Sequence, residues 1–223
     1  MKYIPILAFL FLVCSINVNA QSKLYSTTGG EMIFSFATLD NNGDANGNVM
    51  RWSPVFNFQV YGNYDVNRSL GFIFGGSIRN VGFIYDVPGT NTKKKFRNYN
   101  IGIPIGFKLG NMNRFFLFGG YEIEFPINYK EKTFIDEQKT KFSVWFSKRV
   151  PVYYHTAFVG VQFPYGLTLK FKYYISEFFN QDYTENDGNQ PYKGFKANVF
   201  YFSIGSSLFK NNKVYVKEYK EKY

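Results

Sequence analysis

At 223 residues the chain has room for one domain, or at most two. Aromatic residues make up 22% of it, with 27 Phe and 19 Tyr but only 2 Trp; the mean hydropathy of −0.24 and the lack of a second long apolar run exclude a bundle of membrane helices. The formal charge of +10 is spread along the chain rather than gathered on a basic helix or a nucleic-acid module, which argues against nucleic acid as a partner, and the single cysteine, Cys14, falls in the N-terminal segment, which excludes disulfides and thiolate metal sites from the rest.

Residues 1–20, MKYIPILAFLFLVCSINVNA, have the three parts of a secretory signal. Lys2 gives a positive start, Ile4 to Val13 an apolar stretch too short to anchor comfortably, and Val18-Asn19-Ala20 a cleavage site ahead of Gln21. A lipoprotein reading would acylate Cys14, but Val13 stands where a small residue is expected before it. Residues 21–30 are then an N-terminal periplasmic lead-in.

From Glu31 onward the hydrophobic period is two, the period of strands. Met32, Phe34 and Phe36 alternate with Ile33, Ser35 and Ala37; Phe56, Phe58 and Val60 with Asn57, Gln59 and Tyr61; Leu70, Phe72, Phe74 and Ile78 with Gly71, Ile73, Gly75, Ser77 and Arg79. Tyr99, Ile101, Ile103, Ile105 and Phe107 alternate with Asn98, Asn100, Gly102, Pro104, Gly106 and Lys108, and Phe115, Leu117, Tyr121, Ile123 and Phe125 with Phe116, Phe118, Gly120, Glu122 and Glu124. Ala157, Val159, Val161 and Phe163 follow, opposed by Thr156, Phe158, Gly160 and Gln162. The clearest run sets Leu167, Leu169, Phe171, Tyr173 and Ile175 against Thr168, Lys170, Lys172, Tyr174 and Ser176. The last sets Phe200, Phe202, Ile204 and Leu208 against Tyr201, Ser203, Gly205 and Ser207.

Short turns at 65–69, 110–113 and 164–166 take turns with long polar segments at 40–51, 87–95, 130–150 and 181–196. This is the rhythm of an all-β, eight-stranded antiparallel up-and-down transmembrane β-barrel over residues 31–209, with short periplasmic turns and longer extracellular loops. The physical reason is backbone satisfaction, because an open sheet edge in lipid leaves N–H and C=O groups unpaired and only closure removes the edge. The apolar parity faces acyl chains and the small or charged parity faces a narrow lumen, for which Gly102, Gly106, Gly120 and Gly160 are suited. Pro104 marks a bulge or a missing ladder bond. Residues 210–223, rich in Lys, Glu and Tyr, form a charged periplasmic tail.

On this scheme Arg79, Lys108, Glu122, Glu124, Lys170 and Lys172 all point inward, and an interior ion-pair network is expected, since buried charge persists only when paired. A barrel of this size is filled by its own side chains, which disfavours a wide pore. Lys93, Lys94 and Lys95 and the aromatic Trp145 are expected outside, in loops or strand extensions, as contacts for an anionic lipopolysaccharide, a glycan or a partner protein. His155, the only histidine, has no Ser at close spacing and the chain has no Gly-x-Ser-x-Gly elbow, so no enzyme is expected. Asp182, Glu185 and Asp187 do not match a calcium loop and form an acidic turn; no cofactor or metal is expected.

The stretches RNVGFIYD (79–86), VGVQFPYGLTLKFKYY (159–174) with the FFN of 178–180, and NVFYFSIG (198–205) resemble the small outer-membrane β-barrel superfamily of OmpA, OmpX and OmpW type, and most of all porin-family barrels of Bacteroidota. That resemblance implies insertion into the outer membrane by the barrel assembly machinery and residence there after cleavage near Ala20. It implies no shared reaction. The function expected is a structural, adhesive or envelope-complex accessory role with a filled lumen; the alternatives are a narrow porin-like channel or small-solute transporter, and, further off, a lipid-modifying enzyme.

Overall fold

Alternating apolar and polar residues, dense in Phe, Tyr, Ile and Val, favour extended chain, and the computed structural model of the protein is built of strands. It describes residues 24–112, 114–136 and 138–207; the signal segment with Cys14, residues 21–23, Leu208, Phe209 and the 210–223 tail lie outside the described residues. The strands are β1 (Leu24–Asn41), β2 (Asn48–Val49), β3 (Arg51–Ser53), β4 (Phe58–Asp65), β5 (Leu70–Asp86), β6 (Thr92–Asn111), β7 (Phe115–Ile135), β8 (Gln138–Trp145), β9 (Tyr154–Gln162), β10 (Leu167–Tyr174) and β11 (Phe195–Ser207).

Eight of them close a ring in the order β1, β4, β5, β6, β7, β9, β10, β11 and back to β1. Each pair is antiparallel, and the closing pair runs from Gly29↔Ser207 to Asn41↔Phe195. The fold is thus an eight-stranded antiparallel up-and-down barrel. Strand ends Leu24 and Ser207 lie at the end that carries the short turns, where Asn67 Oδ1 accepts the backbone N–H groups of Ser69 and Leu70 at 2.8 Å. At the other end β5, β6 and β7 run on past the barrel, and β8 adds to β7 through Asn128↔Trp145 to Ile135↔Gln138.

Four local features depart from a regular alternation. Residues 24–30, expected as a lead-in, are already strand and pair with β4 from Leu24↔Tyr64 to Gly30↔Phe58; their small polar side chains left no apolar parity to read. Opposite Pro104, which has no N–H to give, the β5–β6 ladder lapses between Phe74↔Ile105 and Ser77↔Gly102 with its register kept. The bulge itself lies at Tyr99/Asn100, where Pro126 and Ile127 crowd β7. The second wall of the barrel is also broken between β3 and β4. Asn57 bridges the gap: its Nδ2 donates to Ser53 O at 2.8 Å and its Oδ1 accepts from Asn80 N at 2.8 Å.

The exterior is apolar. Ile101, Ile103, Ile105, Phe107 and Leu109 of β6 all face out, as do Phe72, Phe74, Leu117, Val159, Leu169, Phe202 and Ile204 on other strands of the ring. Eight residue steps from Ile101 to Leu109, at about 3.4 Å each and tilted by roughly 40°, give the belt about 20 Å of height. The polar parity is inside.

Candidate functional site

The lumen is occupied in three storeys. Nearest the short turns, Lys108 Nζ pairs with Asp65 at 2.6 Å and donates to Asn63 Oδ1 and Tyr25 Oη at 3.1 Å each. Ile73, Phe116 and Phe118 pack beside it around a cavity of about 30 Å³, room for one water, with Phe158 against Phe118.

The middle storey is ionic. Glu31 of β1, Arg79 of β5, Glu122 and Glu124 of β7, and Lys170 and Lys172 of β10 converge with their side chains essentially buried. Lys172 Nζ lies 2.6 Å from Glu122 and 2.5 Å from Glu124; Lys170 Nζ lies 2.7 Å from Glu31; Arg79 pairs with Glu31 and reaches Glu122 and Glu124 at 3.4 Å. Three carboxylates thus meet three cations and the cluster is neutral. Remaining carboxylate lone pairs accept from Ser203 Oγ (2.7 Å, to Glu31), Asn100 Nδ2 (2.7 Å, to Glu124), Tyr174 Oη (2.5 Å, to Glu124) and Ser77 Oγ (to Glu122). Gly102 makes the space, because a Cβ there would collide with the Glu122 carboxylate and with Ser77 Oγ.

Above this lies an aromatic core. Phe83, Phe96, Tyr129, Tyr154, Tyr174 and Tyr201 from the wall meet Phe178, Phe179 and Tyr192 from the 175–194 connection. Phe179 stacks on Tyr192 with centroids 4.3 Å apart and planes 6° from parallel, and Tyr154 Oη donates to Phe178 O at 2.8 Å. The long connection is therefore folded into the barrel mouth. Beside it is an open cleft of about 350 Å³ lined by Lys94, Glu131, Phe142, Arg149, Glu185 and Tyr192, among others. Arg149 pairs with Glu185 at 2.5 Å, and Glu131 accepts from Tyr129 Oη at 2.9 Å and Tyr192 Oη at 3.2 Å. Burial, and then the Glu131 carboxylate, push the Tyr192 phenol up to about 12.

Of the residues singled out in the sequence, Arg79, Glu122, Glu124, Lys170 and Lys172 come together, while Lys108 stands apart in the lower storey. Lys93, Lys94 and Lys95 are not loop residues: they lie in β6, opposite Asp86, Tyr85 and Ile84. Two of them point outward and Lys94 points to the cleft, because a strand must alternate even three lysines in a row. Trp145 ends β8 and is 67% exposed. His155 is on the outer wall, its Nδ1 engaged by Tyr121 Oη, and the nearby Ser176 Oγ accepts the His155 backbone N–H at 2.9 Å. Glu31, the third carboxylate, was missed although it shares the inward parity of Ile33 and Ser35. Among the described residues no group of three or more His, Cys, Asp and Glu is placed to hold a metal ion.

A closed eight-stranded barrel with an apolar wall and an ion-filled interior is the class this fold defines. No protein-family model and no curated protein matches the chain. Solved structures similar to it include Ail, the attachment invasion locus protein of Yersinia pestis (13% identity, 82% of this chain and 98% of that one, TM-score 0.38). Neisserial surface protein A (10%, 83% and 97%, 0.45) and the outer membrane protein OprG from Pseudomonas aeruginosa (10%, 84% and 96%, 0.36) are others. At these identities the likeness concerns fold alone.

Proposed function

We propose that the chain is an integral outer-membrane barrel, of the type seen in porin-family barrels of Bacteroidota, whose lumen is closed and whose work is done on its surfaces in a structural, adhesive or envelope-accessory role. The observation that carries this is the neutral cluster of Glu31, Glu122, Glu124, Arg79, Lys170 and Lys172 across the lumen, with the Lys108–Asp65 pair on one side and the Phe178–Phe179–Tyr192 plug on the other. Ions following such a path would have to part buried pairs and displace packed rings. The apolar wall supports residence in a bilayer, since an aqueous protein does not leave this many Ile, Leu and Phe side chains half exposed in one continuous belt. Signal cleavage near Ala20 and insertion by the barrel assembly machinery complete the reading.

Planar-bilayer recording on the refolded chain is the test. The barrel should give no stable conductance steps. Steady, sized openings would overturn the closed-lumen reading in favour of a narrow porin-like channel.

A further inference from the structure

Beyond the barrel, β6, β7 and β8 form a three-stranded sheet whose outer face is crowded with positive charge. Residues directly opposite one another across a pair share a face. The pairs Lys93↔Phe134, Lys95↔Lys132 and Arg97↔Lys130 therefore align with Phe134↔Lys139 and Lys132↔Lys141. The ring contacts agree: Lys95 and Lys139 lie over Phe134 (5.2 and 5.8 Å), and Arg97 and Lys130 lie over Tyr99 (5.6 and 5.0 Å). Lys93 has Asp86 at 3.5 Å. Among the described residues the other six, Lys95, Arg97, Lys130, Lys132, Lys139 and Lys141, have no carboxylate within 4.0 Å. Burial, and then crowding by Lys139, Arg97, Lys95 and Lys141, pull the Lys132 ammonium below its usual value. Such a concentration of one charge, unopposed, is unfavourable unless a counter-charge arrives.

The position of this face names the counter-charge. On β6 the outward parity that carries Leu109, Phe107, Ile105, Ile103 and Ile101 continues without a break into Tyr99, Arg97, Lys95 and Lys93. Arg97 and Lys130 thus sit about 10 Å above the last aliphatic belt residue, by strand rise and tilt, close to headgroup phosphate depth. Lys95, Lys132 and Lys141 sit roughly 5 Å further out, and Lys93 and Lys139 further still, beyond a small phospholipid headgroup. A face that begins at the hydrocarbon edge and continues outward fits a lipid whose head is a phosphorylated, acidic saccharide.

We infer that the outward face of β6, β7 and β8 binds a phosphorylated glycolipid of the outer leaflet, with Arg97 and Lys130 flanking Tyr99 as the phosphate seat and Lys95, Lys132, Lys139 and Lys141 holding acidic groups of the head. This inference rests on the membrane reading above. The full chain is incorporated into neutral phosphatidylcholine nanodiscs doped with bisphosphorylated lipid A, and retained lipid A is counted by native mass spectrometry. Incorporation itself tests the membrane reading separately. Wild type should retain lipid A, and Arg97→Gln/Lys130→Gln/Lys132→Gln should retain it roughly 100-fold more weakly. The triple Arg97→Lys/Lys130→Arg/Lys132→Arg should recover most of the loss and so guards against misfolding. Arg68→Gln/Arg114→Gln/Lys148→Gln, off the face, should match wild type. Equal retention of dephosphorylated lipid A, or no change in the Gln triple, would overturn the inference. So would displacement of lipid A by soluble polygalacturonate at matched charge, which would assign the face to a free polysaccharide.

Discussion

Glu31 holds two cations at once, Arg79 directly and Lys170 at 2.7 Å, with all three side chains buried. Neutralising it as Glu31→Gln leaves a net positive charge buried among Glu122, Glu124, Lys172 and their partners. Breaking one side of such a set costs about 3–5 kcal/mol. Urea unfolding in lipid vesicles should show that loss, and the charge-balanced double variant Glu31→Gln/Lys170→Met should recover at least half of it. Equal losses in single and double variants would mean that the charges matter little and the shapes much. Gly102 makes a second residue-level case. Gly102→Ala sets a methyl group against the Glu122 carboxylate and should cost about 1–3 kcal/mol by the same assay, since overpacking forces neighbours off their preferred rotamers.

The element that seals the outer mouth is the 175–194 connection, and its seal contains a titratable latch. In an opened connection the Tyr192 phenol ionises near its ordinary value of 10.0; docked, it resists until about 12. The docked state holds the proton more tightly, so its advantage is fully present below pH 10 and shrinks as pH rises toward 12. Protease nicking within 175–194 should therefore increase over that window in wild type and depend less on pH in Tyr192→Phe. Nicking that is flat from pH 9 to 12 in wild type would contradict the docked geometry. This element was also the hardest to see beforehand. Phe178 and Phe179 are adjacent, so no period-two reading can place both inside, yet both are buried because the chain turns across the mouth there instead of continuing as strand. The tip of β7 was obscure for another reason. The bulge at Pro126 and Ile127 shifts its parity, so the alternation legible from Phe115 to Phe125 does not carry on to Lys130 and Lys132. The wall itself was legible, because Ile101 to Leu109 and Leu167 to Tyr173 need only alternate, and geometry does the rest. The lumen was legible as a set of inward charges but not as a neutral one, because Glu31 stood at the start of a strand whose N-terminal half, Leu24 to Gly30, showed no pattern.

Over the whole molecule, the apolar wall and the filled lumen have one cause. A ring of eight strands leaves no edge, so hydrocarbon can surround it, and its narrow bore forces the inward parity to satisfy itself with ion pairs and stacked rings. On the reading proposed above, the extended β5–β8 tip projects beyond the apolar belt, where saccharide heads and partner proteins would meet it, with the barrel as its anchor. The most direct measurement of this arrangement is a cysteine scan of β6 in reconstituted vesicles, which the absence of cysteine after Cys14 keeps clean. Single fluorophores on cysteines at 101, 103, 105, 107 and 109 should be quenched by a lipid-soluble quencher, and single cysteines at 98, 100 and 108, each smaller than the buried side chain it replaces, should resist labelling by the same fluorophore. Odd positions shielded from lipid quencher, with no period of two, would contradict the account and describe a barrel that hides those side chains from the bilayer.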